Sequence, residues 1–287
     1  MSASTQPQPK PDLADTPKFA HPPVVETALG IQFRALTNMR VTHYGRFQES
    51  LTGFGGVQEV ARLPKTVEQK QPGLPTFSFA FDLIANPPVD LPRVWYLSDE
   101  SPDGQQLVQL QPDRLVQNWR RKDPAKVSYT SYNVNKKAFE ETYSAFIAFA
   151  KSENLGEIVV DQCDVTYINH IPIVSPAEAD EAFKLCFEHF YEAPLFRKVQ
   201  SGPEALGLSL SYWLDDLNGR LSIQAGTSLD VETQHQLISL TLVARGAPSG
   251  GEPSHVLEWL DLGHHYVVNA FVDITSPKMH QLWGREP

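Results

Sequence analysis

Leu91 to Arg120, LPRVWYLSDESPDGQQLVQLQPDRLVQNWR, runs through three short stretches of alternating apolar and polar residues separated by two turn signals. Asp103-Gly104 marks the first reversal and Gln111-Pro112-Asp113 the second, since Gly supplies positive φ and Pro cannot continue a strand ladder. The stretch predicts three antiparallel strands at the centre of a sheet. Val94, Tyr96, Leu107, Leu110, Leu115, Val116 and Trp119 are the buried and half-buried positions. None of it is a catalytic motif.

Upstream, Val25, Thr27, Leu29, Ile31 and Phe33 recur with a period of two and predict a first strand over Val24–Phe33. Met39, Tyr44, Phe47 and Leu51 follow at helical spacing, with Asn38 as the N-cap and Gly53-Phe54-Gly55-Gly56 as the stop. Ala61–Leu74 reads as an exposed loop and Thr76–Ile84 as a strand carrying Phe77, Phe79 and Phe81. Residues 1–22 are rich in Pro, Gln, Ser and Thr. They hold too few large apolar groups to offset their ordering entropy, so a flexible arm is expected.

Downstream, Phe139, Thr142, Phe146 and Phe149 form a wide apolar stripe on a helix from about Val134 to Asn154, which Gly156 ends. The same order of elements then recurs. Glu157–Ile173 reads as a strand, and Ser175-Pro176-Ala177-Glu178 as a capping box opening a helix with Phe183, Cys186, Phe187 and Phe190. Leu206–Leu214, Arg220–Val231 and Gln236–Ala244 read as strands. A long helix from His255 to Ile274 and a short one from Ser276-Pro277 to Trp283 complete the chain.

The predicted class is α+β, with two pseudo-duplicated β-α-β(3–4)-α units at 23–156 and 157–287, their antiparallel sheets backed by helices. This order resembles the TATA-binding-protein-like fold, a likeness of element order that carries no implication of DNA binding. The strings Pro22-Pro23-Val24-Val25-Glu26, LPRVWYLS, LVQLQPDRLVQNWRR and Val165-Thr166-Tyr167-Ile168-Asn169-His170-Ile171 together resemble a sporadically distributed, uncharacterised family of bacterial and archaeal proteins. The resemblance implies no catalytic residue and no cofactor. It does imply an accessory role in a mobile or defence-associated system.

Composition narrows the function classes. The 287 residues carry a net charge of −10, which disfavours nucleic acid and anionic membrane, both of which are held mainly by Lys and Arg. No apolar run approaches the roughly 20 residues of a bilayer span, and no signal peptide opens the chain, so a cytoplasmic protein is expected. Cys163 and Cys186 lack metal-ligand spacing and read as free buried thiols. Neither a metal nor a cofactor is expected.

Three constellations are candidates for a site. Gln109, Gln111, Arg114, Asn118 and Arg120, with Asp113, Gln117 and Arg121, gather on adjacent strands; they form either a binding face or simply the solvated outer face of a sheet. Tyr167, Asn169 and His170 end a strand near the junction of the two units. Asp261, His264 and His265 lie on one helix with Asn269, where a carboxylate beside an imidazole could serve general-base chemistry; an exposed face with a local ion pair is the plainer reading. Trp95, Trp119, Tyr129 and Tyr132 could stack bases but lack a basic groove, and read as core or interface aromatics. No G-x-S-x-G, G-x-G-x-x-G or Walker loop is present. The expected function is non-catalytic binding or assembly, with a second copy or a genetically linked protein as partner. The alternative is a hydrolase or nuclease-like enzyme built on these His and Asp residues.

Overall fold

Period-two alternation builds the strands here, and stripes at 3.6-residue spacing build the helices that cover them. The computed structural model describes residues 13, 16–64, 91–99, 104–121, 127–173, 179–188, 205–230 and 233–286. Strand β1 (Val24–Phe33) leads to helix α1 (Val41–Gln48), strands β2 (Phe54–Val60), β3 (Arg93–Ser98), β4 (Gln105–Gln111) and β5 (Arg114–Arg120), and helix α2 (Tyr132–Ser152). Next come β6 (Val160–Pro172), α3 (Ala179–Cys186), β7 (Gly207–Leu214), a 3-10 turn at Asp215–Leu217, β8 (Gly219–Leu229), β9 (Gln236–Gly246), α4 (Pro253–Ile274) and α5 (Pro277–Leu282). The strand expected over Thr76–Ile84, the capping box at Ser175–Glu178 and Phe190 lie outside the described residues.

The nine strands among the described residues form one sheet in the order β2-β3-β4-β5-β1-β6-β9-β8-β7, every pair antiparallel. The fold is α+β, a single sheet with helices packed against it. The antiparallel strands expected in the two halves join as one continuous sheet. Each half folds its last meander strand back onto its first, β5 on β1 and β9 on β6. That leaves one backbone edge of β1 and one of β6 unpaired, and the two edges satisfy each other, with Thr27 opposite Tyr167 and Leu29 opposite Val165.

The opening stretch folds as three strands. Leu110 pairs with Leu115 and Gln111 with Arg114 around Pro112-Asp113. Gly104 has φ +99°, and a Cβ there would meet Trp119 Nε1 at 2.5 Å, so both conformation and space call for glycine. Strand parity puts Thr27, Leu29, Ile31 and Phe33 on the helix-covered face with Trp119, Gln117 and Leu115. Phe33 meets Phe146 of α2 at 5.4 Å between ring centroids. Tyr96 lies on this same face, against Phe47 of α1 at 5.7 Å, and its hydroxyl donates to the Tyr44 carbonyl.

Local chemistry shifts some boundaries. The N-cap of α1 is Arg40, whose backbone N–H donates to His43 Nδ1, while the expected cap Asn38 donates its amide to the Asn154 carbonyl. Gly53–Gly56 does more than stop a helix, since Phe54 begins β2 and Gly56 lies opposite Leu97. The expected arm over residues 1–22 is not free at its end. Ala20 and His21 donate backbone hydrogen bonds to Gly284 and Trp283, and the Phe19 ring stands edge-on to Phe271 at 5.4 Å. The partly buried Phe19 ring, packed on Phe271, His280 and Trp283, holds this end of the segment against the body.

Both cysteines are free and buried, and burial pushes their thiols up, Cys186 to about 12, which leaves them unreactive. Among the described residues no helix is long and apolar enough to cross a membrane.

Trp119 is 1% exposed and stacks edge-on against Tyr129 at 5.3 Å. Replacing Trp119 by Ala is expected to cost about 3 kcal/mol or more in urea unfolding. A loss below about 0.5 kcal/mol, the range of surface substitutions, would contradict this register.

Candidate ligand-binding site

The polar residues of β4 and β5 are mostly saturated by one another. Trp95 Nε1 and Arg93 Nη1 donate to Gln109 Oε1 at 3.0 and 3.1 Å, Gln109 Nε2 donates to Asn118 Oδ1 at 2.7 Å, and Asn118 Nδ2 donates to Glu26 Oε1 at 2.6 Å. Arg120 donates to Gln105 Oε1 at 2.6 Å and packs over the Trp95 ring. A second network runs from Arg62 to Asp113 to Gln111, and Arg114 reaches Gln32 Oε1 at 2.7 Å. Gln111, Arg114 and Asn118 are buried, and burial raises the Glu26 carboxyl above its ordinary range against the opposing pull of Asn118 and Arg120. Gln109 and Arg120 are half-buried, so this face is one hydrogen-bond network that is part buried and part open to solvent. Gln117 is on the other face, where it accepts from Thr142 of α2.

The other two constellations meet, in part, on the helix-covered side. Pairing β1 with β6 brings α2 beside α4 over the centre of the sheet. Tyr132, in the first turn of α2, stacks flat on His264 of α4, with centroids 3.8 Å apart and planes 6° from parallel. The Tyr132 hydroxyl donates to Asp261 Oδ1 at 3.1 Å, and Lys136, one turn on, donates to Asp261 Oδ2 at 2.7 Å. From the sheet below, the Tyr167 hydroxyl lies 3.0 Å from His264 Nδ1 and 3.1 Å from the Tyr129 hydroxyl.

Beside this cluster lies a cavity of about 600 Å³, bounded by β6, the start of α2, the middle of α4 and the segment before β1. Tyr167, Asn169, Asp261 and His264 all line it. Among the sequence candidates these four come together. His170 does not, because strand alternation turns it to the opposite sheet face from Tyr167 and Asn169. His265 points along a different flank of α4, its Nδ1 3.2 Å from Thr16 Oγ1 and its ring near the Asn269 amide. The expected grouping of Asp261 with His265 is thus replaced by Asp261 with Lys136, Tyr132 and the neighbouring His264. Lys136 escaped the sequence reading altogether, since nothing in the sequence brings a residue of α2 to Asp261 of α4.

The site is electrically quiet. Burial, then the adjacent His265, lowers the His264 imidazole to about 3, so it is neutral at ordinary pH. Tyr129 is pushed up to about 12 by burial, and Tyr132 and Tyr167 also rise. The Asp261 charge is paired with Lys136, though both side chains are partly exposed, so the pair contributes at most about 1 kcal/mol. Asn169 is 1% exposed; its Nδ2 donates to the Leu240 carbonyl at 3.0 Å, and its Oδ1 has no partner. Turning the amide over would set oxygen against the Leu240 carbonyl, so the free atom is the acceptor. Among the described residues no group of three His, Cys, Asp or Glu side chains is placed to hold a metal.

The folded ring of His264 refuses a proton until about pH 3, whereas in the unfolded chain it takes one near 6.5. Stability is therefore expected to fall as pH drops through this window. His264→Gln, which cannot titrate, should flatten the fall in melting temperature between pH 7 and 4; an unchanged slope would show that the ring is not buried neutral. No protein-family model matches the chain and no curated protein matches it, so the family resemblance rests on the quoted strings alone.

Proposed function

We propose that this protein is a non-catalytic binding protein whose ligand site is the cavity between β6, α2 and α4. The observation that carries the reading is the neutrality of the groups around it. A general base works best with a pKa near the operating pH. An imidazole at about 3 and hydroxyls well above neutral suit hydrogen bonding and shape recognition instead. A cavity of about 600 Å³, walled by aromatic rings with a few fixed polar atoms, has the size and character of small-molecule sites. The same observation counts against the hydrolase reading, in which His264 would have to shuttle protons.

Val268 lines the cavity, and a Trp in its place would fill much of the space. Protein isolated gently from its native host is expected to release a small molecule on denaturation, detected by mass spectrometry. Val268→Trp, folded to the same melting temperature within a few degrees, is expected to release none. Identical extracts from both would overturn the reading.

We further propose association with a second copy of the chain, or with a genetically linked protein, through a sheet edge. The polar sheet face supports such an interface less, because Gln111, Arg114 and Asn118 are buried and the half-buried Gln109 and Arg120 are bonded to their neighbours. Among the described residues β7 has a strand neighbour on one side only, and Tyr212 on it is 46% exposed. A strand related to its own copy by a twofold axis runs antiparallel to it, so such an edge is self-complementary. Light scattering at micromolar concentration is expected to give a dimer mass that Tyr212→Lys reduces to the monomer. A monomer in both, alone and with the neighbouring gene product, would overturn it.

The tandem order β1-α1-meander-α2 and β6-α3-meander-α4 supports a pseudo-duplicated origin, which belongs to this proposal and not to the observed fold.

A further inference from the structure

Resting on the reading of the cavity as a ligand site, we infer that His264 presents its Nε2–H there as a fixed donor, and that the occupant is a flat aromatic molecule meeting it with a carbonyl-type acceptor. The placement of the ring comes first. Asp261, His264, Val268 and Phe271 recur every three or four residues along α4 and all line the cavity, so one face of the helix carries their side chains toward it. The imidazole is held on two sides. Tyr132 covers one face of the ring at 3.8 Å, and the Tyr167 hydroxyl takes Nδ1 at 3.0 Å from the sheet. His264 is nevertheless only half-buried. Its Nε2, at the outer end of the side chain, has no hydrogen-bond partner, yet it is not sealed from all accessible surface as His255 Nδ1 is. The rings that hold the imidazole, Tyr132 and Tyr167, themselves line the cavity, so the surface that Nε2 keeps opens there.

The hydroxyl relay decides which nitrogen carries the proton. Tyr129, Tyr167 and His264 Nδ1 form a chain with steps of 3.1 and 3.0 Å. If Tyr129 donates to Tyr167 and Tyr167 to Nδ1, both hydroxyl hydrogens are used and the ring proton sits on Nε2. Run the other way, the chain ends on a Tyr129 hydrogen with no acceptor among the described residues and leaves Nε2 a bare acceptor as well. The first direction leaves one group to be satisfied and the second leaves two. Burial keeps the ring neutral, so the donor is the N–H of an imidazole with a fixed tautomer. A carbonyl oxygen gives that N–H the bond that an apolar ligand of the same shape withholds. The rings of Phe19, Tyr129 and Phe271, which also line the cavity, favour a flat aromatic body through offset or edge-on packing.

Nitrogen-15 NMR of the full chain, labelled at histidine, reads the tautomer directly. For His264, Nδ1 is expected to be the unprotonated nitrogen and Nε2 the protonated one; the opposite assignment overturns the donor. 1-Indanone and indane then test the ligand class, since they share a fused-ring skeleton and only indanone carries a carbonyl. Added 1-indanone is expected to shift the Nε2 resonance, and indane to leave it nearly still. In calorimetry, His264→Phe, which keeps a ring against Tyr132, is expected to weaken 1-indanone roughly fivefold more than indane, the size of one neutral hydrogen bond. Equal weakening of the two overturns the acceptor contact; should the variant fail to fold, the Nε2 shifts of the wild-type chain decide alone. Binding of neither probe overturns the aromatic class, and the extraction experiment with Val268→Trp then judges the cavity independently.

Discussion

The pairing of β1 with β6 is the constraint on which the rest of the molecule depends. Each strand is the first of its half and is already paired on one side by the last strand of its own meander. Left open, the other sides would be two long unpaired edges, apolar on one face, at the middle of the chain. Joined, they make one sheet whose centre is buried on the helix side, where Leu29, Ile31, Cys163 and Val165 are almost wholly inaccessible. The register of this pairing also fixes where the helices stand. With Thr27 opposite Tyr167, Asn135 of α2 reaches Thr27 while His264 of α4 reaches Tyr167, and the two helices meet above the seam.

The seam then explains the character of the cavity. Two helices crossing a twisted sheet cannot fill the space between their ends evenly, and the gap here is closed by the segment from Thr16 to Pro22 with the Phe19 ring as its anchor. The ionisable groups trapped at the seam are held in their uncharged forms or paired, because a lone charge there would meet a low dielectric. His264 illustrates the balance. It is stacked by Tyr132, bonded by Tyr167 and lowered to about 3, so it helps shape the wall without carrying charge.

On the far face the sheet solves a different problem. Gln, Asn, Arg and Glu side chains there would be costly to bury singly. They are arranged instead as donors to acceptors across four adjacent strands, from Trp95 through Gln109 and Asn118 to Glu26. Such a network favours one register over its neighbours, since a slip by one residue would expose apolar groups and break every one of these bonds.

Much of the architecture was legible in the sequence for local reasons. The period-two runs, the Pro112-Asp113 reversal and the stripes of α2 and α4 are written within a few residues of one another, so most strand and helix identities, the α+β class and the burial of Trp119 followed from them, while β2 was hidden behind the Gly53–Gly56 run. The sequence also marked Tyr167, Asn169, Asp261 and His264 as residues of interest. What it could not fix was anything that depends on contacts between distant segments. Whether two meanders make two sheets or one, whether Gln109 and Asn118 face water or each other, and whether Asp261 pairs with His265 or with Lys136 are all decided by strand pairing and helix crossing, across separations of up to about 145 residues, from Val24 to Asn169. A side chain's type sets which bonds it can make; only the assembled sheet sets which partner is within 3 Å, and for that reason the cavity and the free acceptor of Asn169 belong to the tertiary structure alone.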